Sequence, residues 1–375
     1  MQFAKVAGQY KIKNRLISFE KESRISHAIL FWEESGFGAL PLAVAFAAYI
    51  ACPNKNDTDS CGSCPSCNKF AKLIHPDLHF AMPVNSTKEI TSEKKPVSDL
   101  FAAKWREIIT QDPYFTEQDW YRHIGVENKS GIIGVNEAAL ISKKMSLRSF
   151  EGGAKFMVIW LPERMNQEAA NKLLKLIEEP PPETYIFMVS ESPERVIPTI
   201  LSRCQIFRVP PIEPEDMIQE LIAEFDTDNN QAAFWAKISG GSITKARMMI
   251  ADSERKLVFD QSLTSLLEGC VSKDLMKVIS FWEEIASGGR EYQKEFCEYL
   301  LEFLRRSLMV SCGAEDVANV PHEYLKFIKE WSGRLKPTFY NKAYNAVNDA
   351  IQDINRNVNS KYIFADLSNR FFLSL

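Results

Sequence analysis

The feature that most limits the fold is a set of strand-length runs that are apolar at nearly every position: "AILFW" (28–32), "KFMVIW" (155–160) and "TYIFMVS" (184–190). A strand with one wet face alternates apolar and polar residues. A continuous run instead suits a strand buried on both faces, the habit of parallel sheets covered by helices. Helical spacing in "IIGVNEAALISKKMSL" and "NQEAANKLLKLIEEPP" supplies such covers, the second ending at its prolines. Pro210, Pro211 and Pro214 then break the pattern and mark a boundary near 210. Beyond it run amphipathic helical segments such as "EDMIQELIAEF" and "YQKEFCEYLLEFLRRSLMV", with a second boundary expected near 255. The fold class expected is α/β, a parallel-sheet domain followed by an all-helical C-terminal part.

The first apolar strand leads into a turn containing Gly36 and Gly38 and then into a helix of small and apolar residues. That is the setting of a phosphate-binding loop, but its chemistry is missing. The pattern G-x-x-x-x-G-K-[ST] falls on Glu33, Gly38, Ala39 and Leu40. A lysine would neutralise the β and γ phosphates and a hydroxyl would hold magnesium. Ala39 and Leu40 can do neither, and Glu33 is expected to repel a polyphosphate.

Four of the eight cysteines, Cys52, Cys61, Cys64 and Cys67, follow the spacing C-x8-C-x2-C-x2-C. Two overlapping C-x2-C steps turn three thiolates toward one point, and Cys52, after the preceding helix, offers the fourth ligand of a closed, structural zinc site. Free thiols, a redox pair or an iron–sulfur cluster are the alternatives. Lys55 is the one lysine between these cysteines and no aromatic residue lies among them, so the loop lacks the means to stack a base.

With 45 basic and 49 acidic side chains, the net charge of -4 announces no direct nucleic-acid partner. The apolar stretch over 35–52 contains Pro41 and two glycines and reads as a buried helix rather than a membrane span. The N-terminus has no secretory h-region, so an intracellular, cytoplasmic protein is expected. Residues 85–130 read as a surface insertion whose tryptophans and tyrosines form a local core. His75 and His79 flank Pro76 and read as packing residues rather than a second metal site.

In this order "VAGQ" (6–9), "HAILF", the four cysteines, "SFEGGAKF", "NQEAANKLLKLIEEPPPETYIFMVS" and "PTILSRCQIF" resemble the clamp-loader branch of the AAA+ ATPases over nearly the whole chain. The resemblance implies an AAA+ domain over 1–210, with a zinc module at about 52–67 and the insertion at about 85–130. It further implies a helical lid over 211–255 and a helical collar or oligomerisation domain over 256–375. The acidic Walker B pair of active relatives falls on Trp160 and Leu161, with Glu163 the nearest acid. A sensor arginine falls on Thr244, although Arg247 is close.

What the resemblance implies is therefore a catalytically silent subunit, with structural zinc and no ATP in its own pocket. Its partners would be motor (gamma/tau) and delta subunits in a ring that loads the sliding clamp onto primed DNA, with DNA met through the complex and no membrane. Arg203, in the Ser-Arg-Cys triplet, is implied to act in trans on a neighbour's ATP. Its alternative is a structural role, capping a helix or pairing with an acid such as Glu194. An active ATP-hydrolysing motor subunit and a zinc-containing nucleic-acid-binding module are the rival readings.

Overall fold

The apolar runs form a five-stranded sheet in the computed structural model, which describes residues 1–87, 90, 95–126, 130–314 and 322–375. Its strands are β1 (Ala28–Trp32), β2 (Leu78–Ala81), β3 (Lys155–Trp160), β4 (Thr184–Ser190) and β5 (Gln205–Arg208). Their order is β2-β3-β4-β1-β5 and each neighbouring pair is parallel. The expected parallel α/β sheet is borne out.

Successive side chains of a strand point to opposite faces, and both faces here are dry. Ile29, Phe31, Phe156, Val158, Phe187 and Val189 enter one core cluster, while Ala28, Leu30, Met157, Ile159, Ile186 and Met188 enter another. Helices α1 (Tyr10–Lys21) and α2 (Ala39–Ala51) contribute to the first cluster. In α2 every residue from Ala39 to Tyr49 is buried, as expected of a helix that is apolar all round. Pro41 is tolerated because it lies in the first turn, where a backbone N–H has no intrahelical acceptor.

Helix α3 (Pro65–Ala71) precedes β2 in the chain, and α4 (Ala102–Gln111) and α5 (Glu117–Ile124) lie between β2 and β3. The second sheet face is covered by α6 (Val135–Ser146) and α7 (Gln167–Glu178), with α7 started by the Asn166 side chain accepting from the Ala169 N–H at 2.8 Å.

The segment 85–130 departs from expectation. Residues 88–89, 91–94 and 127–129 lie outside the described residues, but α4 and α5 place Trp105 and Trp120 in the same cluster as Phe46 and Phe187. Trp105 meets Trp120 at 5.0 Å and Trp160 at 5.3 Å between ring centroids, and Phe115 meets Trp160 at 5.2 Å. The aromatic residues extend the main core rather than building a separate one. Trp160 explains why: a large ring at the end of β3 needs apolar cover that the rest of the sheet does not give it.

The chain divides into two compact units, Met1–Ile250 and Ala251–Leu375. One helix, Ile243–Ser272, runs through both that division and position 255. All described elements of the second unit are helices, around a core that includes Phe281, Phe296, Phe303, Phe339 and Phe371. Among the described residues no helix is long and apolar enough to cross a membrane.

Trp105 is 1% exposed. Trp105→Ala should therefore destabilise the first unit by about 3–5 kcal/mol, the usual result of deleting a large buried aromatic. Urea unfolding followed in the full chain checks this, and a loss under about 1 kcal/mol would return the segment to the status of a surface insertion.

Candidate functional site

In open parallel sheets, sites form beyond the carboxyl ends of the strands, where the direction of winding changes. Here β1 lies between β4 and β5, and the turns after β1, β3 and β4 meet at that edge. The turn after β1 runs through Gly36 (φ +91°) and Gly38 (φ +100°), backbone conformations costly for other residues. A side chain at Gly36 would strike Thr244 and Ser242, and one at Gly38 would meet the Tyr114 ring at 3.1 Å.

The phosphate-loop frame is thus present, and Glu33 sits within it. Its Oε2 accepts a hydrogen bond from the Ala39 N–H at 2.8 Å, and its side chain is almost entirely buried. Burial pushes the Glu33 carboxyl up to about 8 against the opposing pull of the Ala39, Gly38 and Phe37 N–H groups, with Glu191 adding to the rise. At neutral pH the group is therefore largely protonated. The expected repulsion of a polyphosphate gives way to occupancy of the loop by a neutral acid, because desolvation outweighs the loop's pull on a carboxylate.

Ala39 and Leu40 point into the core, where neither offers a polar atom. Above the loop, Ser242 Oγ donates to the Ser35 carbonyl at 2.7 Å and Thr244 Oγ1 lies 3.3 Å from the same oxygen. Arg247 is committed to Asp112, to Glu224 and to the Tyr114 carbonyl, the last at 2.9 Å. Tyr114, whose hydroxyl accepts from the Ala7 N–H at 2.8 Å, ties the segment after α4 to the "VAGQ" stretch. Sequence reading missed Tyr114 because it lies in a stretch taken for a surface insertion.

At the end of β3, Trp160 and Leu161 are buried, and Leu161 holds φ +55° as the chain turns. Glu163, the nearest acid, is engaged with backbone. Its Oε1 accepts from the Glu191 and Ser192 N–H groups at 2.9 and 3.1 Å, which fixes the turn after β4. Burial raises both Glu163 and Glu191 above the ordinary carboxyl range.

The cysteines converge. Cys52 follows the last turn of α2, Cys64 caps the start of α3, Cys67 lies in its first turn, and Cys61 lies in the connecting loop. All four sulfurs lie within 4.8 Å of one another, with Cys52–Cys64 at 4.0 Å and Cys61–Cys67 at 3.9 Å. A tetrahedral ion with bonds of about 2.3 Å to sulfur needs edges of about 3.8 Å. The donor set therefore fits a tetrahedral thiolate-bound metal and leaves no position open for substrate.

Backbone N–H groups of Cys61, Cys64 and Cys67 point at the Cys52, Cys61 and Cys64 sulfurs at 3.3–3.4 Å. The Ser63 and Cys64 N–H groups hold the Cys61 thiol down to about 6. The module is tied to the N-terminus through Asp59, which accepts from the Phe3 and Ala4 N–H groups at 3.0 and 2.9 Å. His75 accepts from the Asp77 N–H at Nδ1, pairs with Glu151 and packs against the Phe70 ring, tilted by 38°. It is a packing residue, as expected.

Arg203 follows the short helix α8 (Pro198–Leu201). Its Nη1 donates to the Thr199 carbonyl at 2.8 Å and to Ser202 Oγ at 3.1 Å, and its Nε pairs with Glu178 of α7 at 2.5 Å. The acid is Glu178 rather than Glu194. The side chain stays 36% exposed.

A family model described as DNA polymerase III, delta subunit, matches residues 8–213. The chain belongs to that family. A Pseudomonas aeruginosa protein named DNA polymerase III subunit delta' is 24% identical over 329 residues, 83% of this chain and 81% of that protein. A Bacillus subtilis protein of the same name is 26% identical over 231 residues, 62% of this chain and 56% of that one. The chain thus spans most of the first relative and little more than half of the second. A solved Thermotoga maritima protein related to the DNA polymerase III gamma subunit matches 96% of this chain and 99% of its own at 16% identity, with a TM-score of 0.31, too low to bear on the fold.

The raised pKa of Glu33 gives a pH prediction. Its folded pKa of about 8 lies above the roughly 4.3 of an exposed glutamate, so its contribution is full below about pH 4.3, falls as pH rises, and is lost above about pH 8. Glu33→Gln cannot titrate. Unfolding at about pH 5 and about pH 8 should show the variant gaining on the wild type at the higher pH. Parallel pH dependences would mean that Glu33 ionises like an exposed carboxyl.

Proposed function

We propose that this chain is a catalytically silent clamp-loader subunit of the delta-prime kind. The observation that carries the reading is the occupied phosphate loop: Glu33 fills it, Ala39 and Leu40 replace the lysine and hydroxyl, and Trp160 and Leu161 stand where the acidic pair would be. Such a pocket has no group to neutralise a γ phosphate or to hold magnesium. The protein would act through its shape, as one member of a ring with motor (gamma/tau) and delta subunits. ATP bound by the motors would drive that ring to open the sliding clamp and place it on primed DNA in the cytoplasm. The AAA+ domain would span 1–210, the lid 211–255 and the collar 256–375.

In this reading the cysteine module is a structural zinc site that staples the loop after α2. Metal analysis of protein purified without chelator should give about one zinc per chain. Cys64→Ser should lose it and lower the stability of the first unit, while Cys270→Ser, remote in sequence and buried among the C-terminal helices, should leave the metal content unchanged. Protein that carries no metal would sink the zinc assignment.

Arg203 is proposed to offer its guanidinium to the γ phosphate of a neighbouring motor subunit. A permanently charged planar fork suits the charge that develops there, and such arginines are worth about 10^3–10^5 in rate where they act. Glu178 and the α8 carbonyl would hold it ready. In an assembled ring, Arg203→Ala and Arg203→Lys should each leave assembly intact and reduce clamp- and DNA-stimulated ATP hydrolysis at one motor site. Unchanged hydrolysis in a correctly assembled Arg203→Ala ring would leave Arg203 a helix-capping residue.

A further inference from the structure

We infer that the C-terminal helical unit carries a binding site for an aliphatic polyamine, in a cavity walled by aromatic rings and carboxylates. The inference stands independently of the clamp-loader reading.

The cavity has a volume of about 730 Å³, within the roughly 300–1,000 Å³ of small-molecule sites. It lies wholly in the second unit, among α9 (Ile243–Ser272), α10 (Arg290–Ser311) and α11 (His322–Ser332). A second space of about 370 Å³ runs on along α9 and shares Leu257, Asp260 and Phe327 with the first. Asp260 therefore stands where the two spaces join.

The first observation concerns charge. Of the cations lining the cavity, Arg255 pairs with Glu295 at 2.5 Å, and Arg306 pairs at 2.6 Å with Glu302, which also serves Arg305. The charges left over among the described lining residues are three carboxylates, Asp252, Asp260 and Glu298, and one cation, Lys256. The surplus is negative and calls for a cationic ligand. Asp252 and Asp260 lie eight residues apart on α9, about 12 Å along the helix at its rise of about 1.5 Å per residue. Charges spread along such a track suit a ligand whose own charges are separated by methylenes.

The second is hydrogen-bonding polarity. Tyr324 Oη donates to Asp260 Oδ1 at 2.7 Å, Tyr299 Oη donates to the same oxygen, and the two hydroxyls lie 2.7 Å apart. Both phenolic protons are spent inside this triad. What the three side chains still offer the cavity is acceptor capacity, which suits the N–H groups of an ammonium and not an anion. Burial raises the Asp260 carboxyl above its ordinary range even with both hydroxyls donating to it, as befits a buried acid short of positive charge.

The third is the wall. Phe259 meets Tyr299 at 5.5 Å and Tyr324 meets Phe327 at 5.1 Å between ring centroids, and these rings line the cavity together with Phe303. Ring faces attract cations and cover apolar chain. A metal ion would leave that wall unused, whereas methylenes between ammonium groups lie against it. The combination selects an aliphatic polyamine over an inorganic cation.

The test titrates the full-length protein with spermidine by calorimetry and thermal unfolding. Magnesium chloride and sodium chloride of equal ionic strength control for diffuse counter-ion binding. Spermidine should bind at one saturable site per chain and raise Tm beyond the control salts. Asp260→Asn and Glu298→Gln should each weaken it by about tenfold or more, the usual consequence of losing a charged hydrogen-bond partner. Glu283→Gln, which alters an exposed acid on the helix Leu275–Ser287 outside the cavity lining, should bind as wild type.

Should Asp260→Asn not fold, Glu298→Gln decides, because Glu298 is exposed. Wild-type heats no larger than those of magnesium overturn the inference, as does an affinity unchanged in Glu298→Gln. Hexalysine that binds where spermidine does not makes the cavity a seat for a basic peptide. Light scattering that shows chains associating as the heat develops makes it a contact between copies. Either of these outcomes also overturns the inference.

Discussion

Burial of the central strands on both faces is the constraint on which the first unit depends. Because β1, β3 and β4 show no face to water, each must be covered twice, and the covering helices bring the turns after these strands to one edge. Everything at that edge inherits the same dryness. A carboxyl placed there is pushed toward its neutral form, as Glu33, Glu163 and Glu191 are, and Glu33 and Glu163 also find N–H groups to share.

The same constraint accounts for what could be read in the sequence. Strands buried on both faces are apolar at nearly every position, so "KFMVIW" and "TYIFMVS" announce a parallel sheet without any tertiary information. The cysteine cluster is legible for a different reason: Cys61, Cys64 and Cys67 meet through local turns, and Cys52 is delivered by the end of the preceding helix. Spacing along the chain nearly fixes their geometry. Gly36 and Gly38 likewise mark the loop by their backbone needs alone.

What was not legible depends on partners far away in the chain. Tyr114 reaches Ala7 across 107 residues, and nothing in "DPYFTEQDW" shows that its ring will lie on Gly38. Trp105 and Trp120 look like a self-contained patch until Trp160, at the end of β3, is placed against Trp105. Glu33 was legible as the wrong residue for a phosphate loop, but its charge state was not. An acid in a turn is normally ionised, and only its burial reverses that. Arg203 was legible as an arginine at a helix end, whereas its pairing with Glu178 required α7 to lie alongside α8.

The shape of the loop after β1 has a physical explanation that does not invoke a bound ligand. The N–H groups that open α2 have no intrahelical acceptor, and each left buried without one would cost about 1–3 kcal/mol. Solvent is a poor source of that acceptor, because Gly36, Phe37, Gly38 and Ala39 are all buried, with Tyr114 beside Gly38 and Ser242 and Thr244 beside Gly36. A chain that keeps this sheet and this helix must therefore fill the loop from within or open it to water. Glu33 fills it, and the loss of its charge lets it do so in a dry place. Glu33 and the aromatic cover from residues 102–126 are one arrangement. The cover excludes water, and the glutamate supplies the acceptor in its place.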